Sequence, residues 1–133
     1  MNRSDAARAL GATPLLAGLG EDLVDRVLAE TRAEVVEQGR ALVVEGDPVG
    51  DLYLVLRGRF AVVSRGQAIA AIGAGEPIGE IAFFAGGTRS ASVVALRNSE
   101  VLVLSKSAWD RLSRDVPEIG QAVLAALAQR LAR

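Results

Sequence analysis

The stretch LVVEGDPVGDLYLVLRGRFAVV, residues 42–63, is the part of the sequence that most clearly indicates the fold class. It contains three short apolar runs. Gly46-Asp47-Pro48 follows the first run and Arg57-Gly58-Arg59 follows the second. Runs of this length, separated by turn residues at this spacing, are typical of antiparallel strands joined by short connections. The stretch therefore predicts neighbouring strands of a β-sandwich or a barrel-like roll.

The same rhythm continues on both sides of this stretch. Four further apolar runs are bounded by Gly, Asn or Ser residues: Val35–Val36, Ile69–Ile72, Ala91–Leu96 and Val101–Leu104. An Asn98-Ser99 turn is predicted between the last two. These seven runs approach the eight strands that would suit a jelly roll, and only residues 76–88 interrupt the pattern.

Helical patterns flank the strands. Residues 3–10 and 20–31 predict two N-terminal helices, the second with Glu21 and Asp22 at its positive end. Ser105 is a predicted N-cap for a helix that carries Trp109, and Pro117 is suited to open the last helix. The sequence predicts one mainly β domain over 1–133. It comprises N-terminal helices in 1–32, an antiparallel jelly-roll-like β-roll in 33–104 and two C-terminal helices in 105–133.

The last helix carries an apolar stripe. Ile119, Val123, Leu127 and Leu131 recur at every fourth position. We expect this stripe to pack against the domain's own roll. Burial against a second copy, in a homodimer formed through the C-terminal helix, is the alternative that the sequence leaves open.

Composition narrows the function. The chain is 50% hydrophobic and has 15 basic and 16 acidic residues, so we expect a packed core and no direct binding to nucleic acid. No apolar run approaches the ~20 residues that span a bilayer. The polar N-terminus lacks the hydrophobic core of a signal peptide. These features predict a cytoplasmic domain without membrane insertion.

The chain has no histidine and no cysteine. It therefore lacks the commonest general base near neutral pH and the commonest transition-metal ligands. Ser64, Ser90 and Ser92 have no histidine that would activate them. Carboxylate chemistry is conceivable at Glu45, Asp47 and Asp51, but turn acids are the simpler interpretation. We expect no catalysis, no metal site and no cofactor.

The interruption at 76–88 has its own chemistry. Gly79 lets the backbone turn, Glu80–Phe84 suggests a short helix, and Gly86-Gly87 stops it. The N–H groups at a helix start have no partners within the helix and attract anions. Turn glycines with no ligand are the alternative interpretation.

Arg89 follows this short helix and is predicted to begin the next strand. Its guanidinium fork matches two oxygens of a phosphate group. An exposed arginine, or an ion pair with Glu80, would be a purely structural alternative. If Arg89 is buried, either Glu80 or a bound anion must face it, because an unpaired charge is expensive to remove from water.

Together these residues resemble the phosphate-binding cassette of the cyclic nucleotide-binding domain family. That cassette reads approximately Gly-Glu-(Leu/Ile)-Ala, a variable stretch, then Arg-(Ala/Ser/Thr)-Ala-(Thr/Ser/Trp)-Val. The chain has Gly79-Glu80-Ile81-Ala82 and Arg89-Ser90-Ala91-Ser92-Val93. Val44–Asp47 and Asp51–Gly58 are similar to the family's Gly-Asp and Leu-Tyr strand signatures.

The resemblance implies a role for each cassette residue. Glu80 accepts a hydrogen bond from the ribose 2′-OH, and Arg89 neutralises the cyclic phosphate. Backbone N–H groups near Ile81 and Ala82 bind phosphate oxygens, and Gly79 permits their approach. The resemblance also places two further residues at the site: Ser90 on the phosphate or a guanine amino group, and Arg130, on a last helix that acts as a lid. A solvated helix charge is the alternative for Arg130.

The resemblance therefore implies a regulatory module that binds cAMP or cGMP and relays a movement of its last helix to an attached effector. A degenerate module, retained for protein interaction or dimerisation, is the alternative. Residues 75–84 are also similar to regulatory domains of patatin-like phospholipases of the neuropathy-target-esterase type. Related domains control channels, kinases and transcription regulators, so the sequence leaves open which kind of effector domain is attached.

Overall fold

A computed structural model describes residues 3–13, 16, 19–48, 50–79, 83–84 and 86–131. In these ranges the chain forms four α-helices and eight β-strands. The helices are α1 (Arg3–Ala12), α2 (Glu21–Ala29), α3 (Lys106–Asp115) and α4 (Pro117–Leu131). The strands are β1 (Arg32–Val36), β2 (Ala41–Val43), β3 (Leu52–Arg57), β4 (Arg59–Ser64), β5 (Gln67–Gly73), β6 (Pro77–Ile78), β7 (Ser92–Ala95) and β8 (Ser99–Leu104).

The strands form two four-stranded antiparallel sheets. The first has the order β1-β8-β3-β6 and the second has the order β2-β7-β4-β5. Strands β4 and β5 form a tight hairpin, in which Ser64 pairs with Gln67 across the two-residue turn Arg65-Gly66. Both turn residues have positive φ, which matches the right-handed twist of the flanking strands. The predicted β-roll with flanking helices is confirmed.

Two apolar clusters lie on opposite faces of the first sheet. On strand β3, Val55 packs inside the roll, whereas Leu54 and Leu56 pack against the helices. Strand β8 alternates in the same way, with Val103 inside and Leu102 outside. Both faces of these strands are therefore buried, which explains why their sequences are nearly continuous apolar runs.

Several predicted boundaries were wrong by a few residues. Helix α1 continues through Gly11 to Ala12, and the predicted Asn98-Ser99 turn ends earlier because Ser99 is the first residue of β8. Strand β6 was missed because it has only two residues and lies in the stretch interpreted as an interruption. Pro77 begins this strand and pairs with Leu54.

The C-terminal helices begin as predicted. The Ser105 hydroxyl accepts a hydrogen bond from the Ala108 N–H at 3.1 Å, and Pro117 opens α4. Ile119 and Val123 are buried in the cluster that joins the helices to the first sheet. The first half of the stripe therefore packs against its own domain, as expected. The side chains of Leu127 and Leu131 lie outside the described part of the structure.

A surface ion pair links the N-terminal helices to the C-terminal helices. Arg111 on α3 donates to the carboxylate of Glu30, directly after α2, at 2.7 Å. Within the ranges given above, no helix is both long enough and apolar enough to cross a membrane.

Candidate functional site

Arg89 lies in an irregular segment that is anchored by its backbone. Its N–H donates to the Asp47 carbonyl at 2.8 Å, and its carbonyl accepts from the Gly46 N–H at 2.8 Å. Pro48 and Thr88 form an isolated bridge beside these bonds. The prediction that Arg89 begins a strand was wrong, because β7 starts three residues later, at Ser92. The loop between β2 and β3 therefore fixes the position of Arg89.

The guanidinium of Arg89 is buried, with only 5% of the residue exposed. Nη2 donates to the backbone carbonyl of Asp51 at 2.6 Å, and Nη1 donates to the carbonyl of Gly79 at 3.3 Å. Among the described residues, no carboxylate forms an ion pair with Arg89. The two carbonyls thus orient the fork without neutralising its charge.

The carbonyl of Asp51 is a partner that the sequence analysis did not identify. Asp51 was considered as a turn acid and as the first residue of the strand signature Asp51–Gly58, whereas its backbone oxygen has no signature in a sequence. The contact spans 38 positions of the chain and depends on the way the loop folds over Arg89.

Gly79 lies directly against the guanidinium. Its φ of +77° belongs to the left-handed region, and a Cβ at this position would overlap Arg89 Nη1. Its carbonyl also accepts the Phe83 N–H at 3.0 Å, which is the bond of one α-helical turn. Glycine is required here both for the backbone conformation and for the close approach of Arg89.

Three predicted ligand-binding residues, Glu80, Ile81 and Ala82, lie outside the described residues. Their roles stay predictions. Phe83 and Phe84, which follow them, are helical, in agreement with the short helix expected here.

The structure shows the side chains of Ser90 and Ser92, but only the backbone of Arg130. Ser90 is exposed next to Arg89. The Ser92 hydroxyl accepts from the Glu45 N–H at 2.9 Å, so it holds the β2–β3 loop. The backbone of Arg130 belongs to α4, but its side chain lies outside the described part of the structure.

An apolar wall, formed by Phe60, Val62, Ala70 and Val93, lies on the inner face of the second sheet. Phe60 and Val93 are buried on this face. Val62 pairs with both Val93 and Ala70, yet Val62 is only half-buried and Ala70 is exposed. Part of this sheet face is therefore open, on strands that pair with β7, the strand that follows Arg89 in the chain.

A cleft of about 180 Å³ borders Arg89 on the side of the β2–β3 loop. Its lining includes Val43, Asp47, Asp51 and Tyr53. Burial raises the pKa of the Tyr53 phenol, the charge of Asp51 raises it further, and Arg89 opposes the rise. Tyr53 is therefore neutral at physiological pH, and the charge beside the cleft belongs to Arg89 and the two aspartates.

Aromatic contacts join the short helix to the C-terminal helices. The ring centroids of Phe83 and Phe84 are 5.0 Å apart, and those of Phe84 and Trp109 are also 5.0 Å apart. Lys106 Nζ lies 5.3 Å from the centroid of the Phe83 ring. A displacement of Phe83 and Phe84 would therefore change their contacts with Lys106 and Trp109 on α3.

Comparison with known proteins agrees with this geometry. The family model for the cyclic nucleotide-binding domain matches residues 33–115. An uncharacterised NTE family protein of Mycobacterium tuberculosis is 31% identical over 129 residues, which are 96% of this chain and 22% of that protein. The cyclic AMP receptor protein of Thermus thermophilus is 35% identical over 124 residues, which are 90% of this chain and 57% of that protein.

The fold is also found among solved structures. A cyclic nucleotide-binding domain from Methylobacillus flagellatus is 30% identical, with a TM-score of 0.85 over 97% of this chain and 75% of that one. The chain spans 22% and 57% of the length of the two relatives named above. The match of the family model, together with the roll and the buried Arg89, shows that the chain belongs to the cyclic nucleotide-binding domain family.

Proposed function

We propose that this chain is a non-catalytic regulatory module that binds cAMP or cGMP. Arg89 binds the cyclic phosphate, and Glu80 accepts a hydrogen bond from the ribose 2′-OH. Backbone N–H groups at Ile81 and Ala82 complete the phosphate site, and Gly79 leaves room for it. The observation that carries this proposal is the buried guanidinium of Arg89, which has no carboxylate partner among the described residues.

The energetics favour an anionic ligand. Removing an ion from water costs several kcal/mol, even after the protein relaxes around it. Two carbonyl acceptors recover part of this energy, but they are neutral and do not balance the charge of the guanidinium. A cyclic phosphate carries one negative charge and two free oxygens, which match a guanidinium fork in charge and geometry.

The apolar wall favours a ligand with a flat apolar part beside its phosphate. Val62 and Ala70 leave part of the inner sheet face uncovered. A purine base would cover this surface while its phosphate reaches the guanidinium. Ser90, exposed beside Arg89, is in reach of a phosphate oxygen or a guanine amino group.

The aromatic contacts would transmit the conformational change on binding from the short helix to α3. Binding at the short helix moves Phe84 against Trp109, and α4 then closes over the base with Arg130 as a candidate contact. The ligand shifts this equilibrium only as far as it prefers the closed state. The effector is an attached domain, for which the resemblance to NTE family proteins suggests a phospholipase.

Trp109, the only tryptophan in the chain, provides the readout. We expect its emission to change on titration with cAMP or cGMP. The Arg89→Ala variant should bind on the order of 100-fold more weakly, since a charge-assisted hydrogen bond contributes about 1.5–3 kcal/mol. Arg97→Ala, which removes an exposed arginine, is the matched control. Equal affinities of both variants would exclude Arg89 from the phosphate site.

The alternative function, a degenerate module that dimerises through its last helix, has one observation in its favour. Leu124 on α4 is 68% exposed. A stable dimer in light scattering that Leu124→Lys dissociates, together with no binding of any cyclic nucleotide, would establish it. A monomer that binds cAMP or cGMP would exclude it.

A further inference from the structure

The outer edge of β5 is the longest unprotected sheet edge in the described part of the chain. Strand β5 lies at the end of the second sheet, where its described partner is β4. Its sequence, QAIAAIG, contains no charged residue and no proline, and residues 67–71 are exposed. The N–H and C=O groups of such an edge are a template for another strand. We propose that β5 pairs with β5 of a second copy, in an antiparallel homodimer that forms independently of nucleotide.

The other three edges of the two described sheets carry features that hinder pairing. Strand β1 carries the charges of Arg32 and Glu34, and Glu34 forms ion pairs with Arg32 at 3.6 Å and with Arg40 at 3.0 Å. Strand β2 has only three residues, and β6 has two, the first of which is Pro77. Charges, proline and short length are devices by which natural sheets protect their edges. Strand β5, with seven residues, lacks all three.

A bulge and a capped end define the usable part of this edge. The register with β4 moves between Ala68 and Ala70, so Ile69 is the extra residue. From Ala70 to Gly73 the pairing with β4 is regular. The Gly73 N–H donates to the carboxylate of Glu76 at 2.7 Å, which closes the edge at this end. The free edge is therefore short, and Ile69, which is 62% exposed, is the large apolar side chain that a partner would cover.

The charges that flank β5 identify the partner as a second copy. Arg65 lies five positions before Ala70, and Glu76 lies five positions after Ala71; both are exposed. Antiparallel pairing about Ala70-Ala71 brings Arg65 of each copy near Glu76 of the other, whereas parallel pairing would bring like charges together. Complementary charges of this kind fix orientation and register.

Both flanking side chains keep the capacity for this contact. Glu45 accepts a hydrogen bond from the backbone N–H of Arg65 at 3.2 Å, but among the described residues no carboxylate forms an ion pair with the Arg65 guanidinium. Glu76 uses Oε2 for the bond to Gly73, and a carboxylate has a second oxygen that can accept from an arginine.

The pairing predicts a weak dimer with a continuous sheet. The second sheet of each copy has four strands, and their edges would join through main-chain hydrogen bonds, as in other cases of strand addition. An interface of one short edge is smaller than a standard interface, so we expect a dissociation constant on the order of 100 µM. The dimer would therefore depend on the local concentration of the chain, which attachment to a larger assembly would raise.

Sedimentation velocity of the full chain, from about 10 µM to about 1 mM, tests the dimer. The variants are Ile69→Lys and Leu124→Lys, because both replace an exposed apolar side chain, 62% exposed on β5 and 68% exposed on α4. We expect the wild type and Leu124→Lys to dimerise equally, and Ile69→Lys to dimerise at least tenfold more weakly. A wild type that stays monomeric, or a dimer that Leu124→Lys dissociates and Ile69→Lys does not, would overturn the inference.

Charge reversal tests the antiparallel orientation. Arg65→Glu and Glu76→Lys each place like charges together across the interface, so each should weaken association about three- to tenfold. The double variant restores opposite charges and should dimerise more strongly than either single variant. The bond to Gly73 is lost in both Glu76→Lys and the double variant, so comparing these two isolates the effect of charge. A double variant that dimerises no better than Glu76→Lys would overturn the antiparallel pairing.

Discussion

At the scale of single residues, the site depends on a close contact between Gly79 and Arg89. The contact requires a residue without a Cβ, in a left-handed conformation, facing a buried cation. The sequence showed the glycine and the arginine but not their contact, because they are ten positions apart and meet only when the roll closes. It also gave no indication that the Asp51 carbonyl completes the set.

Gly79→Ala tests this contact. We expect at least a tenfold loss of cyclic nucleotide affinity, because the new methyl group displaces the guanidinium, and a loss of about 1–3 kcal/mol in stability from the positive φ. Calorimetric titration and urea unfolding measure the two effects. The control is Gly66→Ala, which has the same φ of +77° but no atom within 4 Å of the new Cβ.

The control variant should lose stability and keep its affinity. If Gly79→Ala and Gly66→Ala bind nucleotide equally well, the contact with Arg89 has no part in recognition.

Tyr53 provides a second test at this scale. Burial and Asp51 raise its pKa above the ordinary value of 10.0. The stability linked to this shift is therefore fully present below pH 10, and it is lost as pH rises through the folded-state pKa. Tyr53 is the only tyrosine, so an absorbance titration reports it alone. We expect a higher midpoint in the native chain than in urea. Equal midpoints would contradict the buried position.

At the scale of elements, most helices and strands follow from local patterns, and the missed strand is one that long-range pairing decides. Ser105 has the N-cap role that its type and position predicted. Strand β6 was missed because two residues carry no periodicity, and it exists only because β3 offers an edge with which to pair. Long-range pairing of this kind is not encoded in a short window of sequence.

Ser105→Ala tests the cap. The variant loses the hydrogen bond to the Ala108 N–H, so we expect a loss of about 1 kcal/mol in unfolding free energy and no change in nucleotide affinity. Ser113→Ala is the control, because its hydroxyl bonds back to the Trp109 carbonyl within the same helix. It should be nearly neutral. A similar loss for both variants would mean that Ser105 does not act as a cap.

The aromatic contact between the short helix and α3 gives another prediction. Phe84→Leu removes the ring that touches Trp109 while keeping an apolar side chain. We expect nucleotide still to bind and the ligand-induced change in Trp109 emission to fall by more than half. Calorimetry gives the affinity independently of fluorescence. An unchanged emission response would show that the signal reaches α3 by another route.

At the scale of the whole molecule, the first sheet is the structural centre. It is covered by helices on one face and by the second sheet on the other, whereas the inner face of the second sheet stays partly open at Val62 and Ala70. The sequence predicted this architecture because one block of short apolar runs is flanked on both sides by helical patterns. It left the output undecided, because the structure of one domain does not reveal what that domain controls.

The central claim is that the open roll binds a cyclic nucleotide through Arg89. The most direct measurement is a calorimetric titration of the wild-type chain with cAMP and with cGMP in phosphate-free buffer, at two temperatures so that a small binding enthalpy is not mistaken for no binding. We predict one site per chain for at least one of the two ligands. No binding of either ligand at millimolar concentration, by a correctly folded chain, would contradict the account.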